Sequence, residues 1–112
     1  MVEMKIIKTD LQAIVTLGEK LTAAEISTLK NEVKLLLEEG INKIEFDCTH
    51  LDLLDSTGIG FLVAVHNSLS KVSGSVTINK VSADIYDLLC SMRLDRHIHI
   101  IQQSSNLPEN GE

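Results

Sequence analysis

Short strand-like apolar runs alternate along this chain with stripes of helical spacing, and few architectures accept that order. Met4 to Ile7 and Ala13 to Leu17 are apolar runs on either side of the turn-like Lys8-Thr9-Asp10 and are expected to pair as strands, the second ended by Gly18. Thr22-Ala23-Ala24-Glu25 then has the form of a capping box, in which hydroxyl and carboxylate satisfy backbone donors at a helix start. Ile26, Leu29, Val33, Leu36 and Leu37 recur at helical spacing behind it, and Gly40 supplies the stop. Lys43 to Asp47 reads as a strand. From Thr57 to about Val72 a second stripe (Ile59, Leu62, Val65, Leu69, Val72) closes at Ser73-Gly74, and Val76 to Ile78 reads as another strand. Ser82 is placed to cap a third helix that buries Ile85, Leu88, Leu89 and Met92, with Asp84 suiting its dipole. Ile98 to Ile101 makes a last strand. The order is β-β-α-β-α-β-α-β, which implies an α/β fold with right-handed crossovers and a mixed, mostly parallel sheet. The domain is expected over 1–103, with 104–112 a polar C-terminal tail.

The 112 residues allow one domain and leave little room for a second. A net charge of -6 opposes polyanion partners, and two Phe, one Tyr and no Trp give no stacking platform, so nucleic acid is not expected. No apolar leader and no 18-residue apolar stretch occurs, so neither secretion nor a membrane span is expected, and the cytoplasm is the default location. Cys48 and Cys90, without a C-x-x-C spacing, read as reduced, buried small hydrophobes.

The segment from Asp47 to Gly60 links the central strand to the second helix, on the side of the sheet where loops of α/β folds gather ligands. Ser56 is expected at the N-cap, its hydroxyl facing solvent, with Thr57, Gly58 and Ile59 as the first helical residues. Gly58 and Gly60 within one turn cost about 0.8–1 kcal/mol each relative to Ala. Their lack of side chains beside Ser56 would let another protein approach closely.

Asp55-Ser56-Thr57-Gly58-Ile59-Gly60, reached from a strand ending in Asp47 and followed by an apolar helix, resembles the STAS-domain anti-sigma factor antagonists. The resemblance extends to Gly18-Glu19, to Ser73-Gly74, and to the pattern Ile85, Leu88, Leu89, Met92, Leu94, Ile98, Ile100. It implies a bacterial partner-switching protein without catalytic activity, metal or cofactor, phosphorylated on Ser56, with Thr57 the less favoured acceptor. The unphosphorylated form would bind an anti-sigma serine kinase and release a sigma factor, and a serine phosphatase would reset it. The docking surface would comprise Asp52, Leu53, Asp55, Ser56, Thr57, Gly58, Ile59 and Gly60, with His50 and Leu51 beside them, on a monomer or weak dimer. An alternative role within the same family is a scaffold subunit of a signalling or lipid-transport assembly. The chain departs from the family pattern at Lys20-Leu21-Thr22, where relatives often carry a further acidic residue, and at Arg93, where many carry Gly.

Enzyme readings fare poorly. Asp55-Ser56-Thr57-Gly58 has one residue too many for an aspartic-protease turn and no second copy, and Ser68-Leu69-Ser70-Lys71 lacks its companion motifs. No nucleophile elbow or phosphate-binding glycine fingerprint occurs. His97 and His99 would share a strand face at zinc-compatible spacing but lack a third ligand. Arg93, Asp95 and Arg96 read first as a satisfied helix-end cluster and second as a rim for a partner, Met92 as core, and Lys30, Lys34, Glu38 and Glu39 as the solvated face of the first helix.

Overall fold

The first two apolar runs form an antiparallel hairpin, β1 (Lys5–Thr9) and β2 (Gln12–Thr16), in a computed structural model that describes residues 5–103. Met4 and the expected tail over 104–112 lie outside the described residues. The hairpin turns at Asp10, whose φ of 50° is the left-handed geometry that short polar side chains tolerate best. From β2 every strand added is parallel to its neighbour: β4 (Lys43–Asp47), β6 (Ser75–Val81) and β7 (His99–Gln102) give the sheet order β1-β2-β4-β6-β7. Two further strands, β3 (Lys20–Leu21) and β5 (Leu53–Leu54), pair with each other as a separate two-residue ribbon. They are too short to show any periodicity in the sequence. β6 also runs past the expected Val76–Ile78, because an irregularity between Ile78 and Val81, with Lys80 at φ 60°, lets the strand continue past a break in its register with β7.

Three helices make the crossovers: α1 (Ala23–Glu38), α2 (Ser56–Ser70) and α3 (Ala83–Ser91). Each step from β2 to β4 to β6 to β7 goes the same way across the sheet, so right-handed crossovers place all three helices on one face. Burial agrees: Ala13, Val15, Ile44, Phe46, Val76 and Ile78 point under the helices, while Gln12, Ile14, Lys43 and Ser75 on the opposite face remain exposed. The only two phenylalanines meet edge-to-face across this layer, Phe46 of β4 against Phe61 of α2 with ring centres 6.2 Å apart. That contact sets α2 over the centre of the sheet and so fixes where its first turn emerges.

The starts of α1 and α3 are built as the sequence implied. The Glu25 carboxylate accepts from both the backbone N–H and the hydroxyl of Thr22, at 2.9 and 2.6 Å, and the Ser82 hydroxyl accepts from the Ile85 N–H at 3.3 Å. Several expectations need correction. Val72 lies beyond α2 and is 59% exposed, because the helix ends two residues earlier, at Ser70. Met92 is not core but 48% exposed, since α3 stops at Ser91 and the chain turns away through a 3-10 turn at Leu94–Arg96. His97 belongs to the end of that turn rather than to β7, so it does not share a strand face with His99.

Candidate functional site

The carboxyl ends of β4 and β6 and the first turn of α2 converge on the loop over residues 48–55. Its path is over-determined. Asp47 at the end of β4 accepts from the Thr49 N–H (3.0 Å) and the Thr49 hydroxyl (2.6 Å), which bends the chain out of the sheet. Cys48 N–H donates to the Asn79 carbonyl of β6, and the Leu51 N–H to the Cys48 carbonyl. Cys48, Leu51 and Leu54 are buried and plug the loop into the core. Burial pushes the Asp47 carboxyl up, but the Thr49 hydroxyl and N–H, Lys80 and His50 outweigh it and hold it below its usual value. The same burial, with Asp47 adjacent, pushes the Cys48 thiol up to about 12, which leaves it chemically inert.

The segment between β2 and α1 forms the floor. The Glu19 carbonyl accepts from the N–H groups of both Asp52 and Leu53, and the Leu21 carbonyl accepts from the Asp55 N–H at 3.4 Å. In the β3–β5 ribbon Leu21 and Leu54 are partners and point inward, whereas Lys20 and Leu53 are partners and point outward. Leu53 is 50% exposed, an apolar side chain held in solvent three residues before Ser56.

The N-cap of α2 is Asp55, not Ser56. Its backbone is extended and its carboxylate accepts from the Gly58 N–H at 2.9 Å, while its carbonyl accepts from the Ile59 N–H. Asp and Ser are equally good caps, so local preference did not separate them; the pairing of Asp55 with Leu21 did. Ser56 is thereby the first helical residue. Its side chain is exposed, and its hydroxyl has no hydrogen-bond partner among the described residues. Thr57 is exposed beside it.

The two glycines have opposite roles. A Cβ on Gly58 would stand 2.2 Å from the Leu21 carbonyl oxygen and 2.8 Å from a Leu54 methyl, so Gly58 is buried and lets α2 rest on the β3–β5 ribbon. It serves the fold, contrary to the expectation that it opens the surface. A Cβ on Gly60 would meet nothing within 4 Å, and that residue is exposed. Of the expected docking residues, the structure brings Asp52, Leu53, Ser56, Thr57 and Gly60 together at the surface, with His50 also exposed and Asp55 half-buried. Leu51, Gly58 and Ile59 are buried beneath them. Glu19 and Lys20 complete the rim, brought in by a strand pairing that nothing in the spacing of the sequence announces. Among the described residues no group of three or more His, Cys, Asp or Glu side chains is placed to hold a metal ion, and no helix is long and apolar enough to cross a membrane.

The same architecture recurs in solved structures. A Thermotoga maritima protein described as an anti-sigma factor antagonist superposes with a TM-score of 0.82 at 22% identity, over 91% of this chain and 88% of that one. The anti-sigma factor antagonist SpoIIAA in its unphosphorylated form superposes at 0.77 with 13% identity, over 87% of this chain and 86% of that one. The Bacillus SpoIIAA structure in the phosphorylated form superposes at 0.72 with 15% identity, over 87% and 89%. At these identities the likeness is one of fold. No curated protein sequence matches the chain closely enough to supply a relative of assigned role. The STAS domain model matches residues 2–106, nearly the whole length, and this chain is a member of the STAS domain family.

Proposed function

We propose that this protein is an anti-sigma factor antagonist of a partner-switching pathway, a non-enzymatic cytoplasmic protein controlled at Ser56. The observation that carries the reading is the division of labour at the start of α2: Asp55 caps the helix, which leaves the Ser56 hydroxyl exposed and without a structural duty. A kinase can therefore take that hydroxyl without dismantling the helix start. Around it lie an exposed Leu53, the side-chain-free Gly60 and the acidic Glu19, Asp52 and Asp55. Unphosphorylated, this surface docks an anti-sigma serine kinase; Thr57, also exposed, is the less favoured acceptor.

Phosphorylation adds roughly -1.5 to -2 charge and three acceptor oxygens. A helix N-terminus tolerates an anion, by about 0.3–1 kcal/mol in favour, so the fold survives the modification. Docking does not, because the partner must then desolvate a phosphate among three carboxylates. Moving a complex from almost fully bound to almost fully free takes about 5.5 kcal/mol of differential affinity, and like-charge crowding at an interface supplies several kcal/mol. A serine phosphatase restores binding. The test is incubation with an ATP-binding anti-sigma kinase from the same genome. Phosphate is expected on Ser56 and absent from Ser56→Ala, and Ser56→Asp is expected to lose the complex while melting within about 4 °C of the parent. Equal phosphorylation of Ser56→Ala, or undiminished binding by Ser56→Asp, refutes the reading.

A further inference from the structure

The chain contains only two arginines, Arg93 and Arg96, and they stand within four residues of each other. They lie at the end of the domain opposite Ser56. Helix α2 starts where β4 finishes, whereas α3 begins where β6 finishes and runs back, so the 3-10 turn after it sits where the strands begin. Both arginines are exposed, and neither is within ion-pair distance of a carboxylate among the described residues, although Asp95 stands between them in sequence. The mutually satisfied cluster expected from the sequence is therefore not formed. Met92 is 48% exposed beside them, His97 follows, and Lys71 at the end of α2 lies at the same end of the domain. The acidic Glu39 at the end of α1 is on the hairpin side, taken up by Lys8 at 2.8 Å.

A second observation concerns the backbone. Arg93 has φ 62° and ψ 23°, the left-handed geometry in which a side chain is strained and glycine is not. The fold would be served better by glycine, yet a long, exposed cation stands there. A left-handed residue at this place ends α3, a position that glycine fills at no steric cost.

We propose that Arg93 and Arg96, with the exposed Met92, form a second interaction surface that docks an acidic, leucine-bearing peptide segment of a partner protein. Guanidinium groups suit carboxylates, and the exposed Met92, next to Arg93 in sequence, offers an adaptable apolar contact. The rest of the molecule, at a net charge of -6, repels such a segment, so binding can only be local.

The probe is a six-residue synthetic peptide of four glutamates flanking two leucines, titrated into the full-length protein at about 50 mM salt with amide chemical shifts as readout. Shifts are expected at residues 91–99 and not around Ser56. Arg93→Gly, which relieves the strained backbone, should melt no lower than the parent and yet bind about tenfold more weakly, and Arg96→Gln should weaken binding similarly. Lys34→Gln, an equal charge change on the exposed face of α1, should leave binding unchanged. The inference is overturned if the peptide causes no shifts at 91–99, if Arg93→Gly binds as the parent does, or if Lys34→Gln weakens binding equally. Equal occupancy by inorganic phosphate at the same concentration would also overturn it, since the surface would then select anions rather than a peptide.

Discussion

Replacing each glycine of the α2 first turn by alanine separates a residue kept for packing from one the fold does not need. At Gly58 the new methyl would sit 2.2 Å from the Leu21 carbonyl oxygen, a backbone atom, with a Leu54 methyl at 2.8 Å and Leu21 Cγ at 3.1 Å. Relief requires α2 to lift from the β3–β5 ribbon, which strains the Asp55 N–H bond to Leu21 and opens the packing of two buried leucines. Overpacking of this kind costs about 1–3 kcal/mol, and a clash with backbone belongs at the upper end. The helix-propensity gain of about 1 kcal/mol offsets part of it, for a net loss of about 2 kcal/mol. At Gly60 the methyl meets nothing, so the full gain of about 1 kcal/mol remains. At about 4 °C per kcal/mol for a domain of this size, Gly58→Ala should melt about 8 °C lower and Gly60→Ala about 4 °C higher. Far-ultraviolet circular dichroism is the assay, because one tyrosine and no tryptophan leave little fluorescence. If Gly58→Ala is as stable as the parent, or Gly60→Ala is less stable, the assignment of the two roles is wrong.

Asp55→Ala removes the cap on the Gly58 N–H and should cost about 0.5–2 kcal/mol in urea unfolding, while Asp55→Asn retains most of the stability. Of the two thiols, half-buried Cys90 should be alkylated first at pH 8 and Cys48, pushed up to about 12 by burial, only on unfolding; mass spectrometry of the alkylated native protein reads this directly. Asp47 titrates below its ordinary value of 3.8 when folded, so it adds stability above that value that is lost as pH falls through the folded pKa. Thr49→Val removes the hydroxyl donor and should lower stability at pH 7 while narrowing the difference between pH 7 and pH 2, measured by urea midpoints.

Much of this molecule was legible before any coordinates. Helix α1 announced itself through Thr22, Glu25 and the stripe from Ile26 to Leu37, and β4 through its apolar positions 44 and 46, because burial on one side of an element leaves a period in the chain. The position of Ser56 at the tip of α2 was legible for the same reason. The cap was not. Asp55 and Ser56 are both strong cap formers one residue apart, and the choice depends on the Leu21 carbonyl, which is remote in sequence. Met92 read as core because it continues the spacing of Ile85 and Leu89, but α3 ends one residue earlier, and the left-handed Arg93 then turns the chain away.

Local pattern alone determined the order of the three helices and the five strands of the main sheet, and the loop and helix start that hold Ser56, since periodicity, capping and turn residues are properties of neighbouring positions. Tertiary structure decided which side chains of that segment are reachable. Leu53 faces solvent and Gly58 is sealed because a two-residue ribbon, β3 with β5, brings Leu21 beneath the helix. A pairing so short leaves no period along the chain, and its energy comes from contacts between positions more than thirty residues apart.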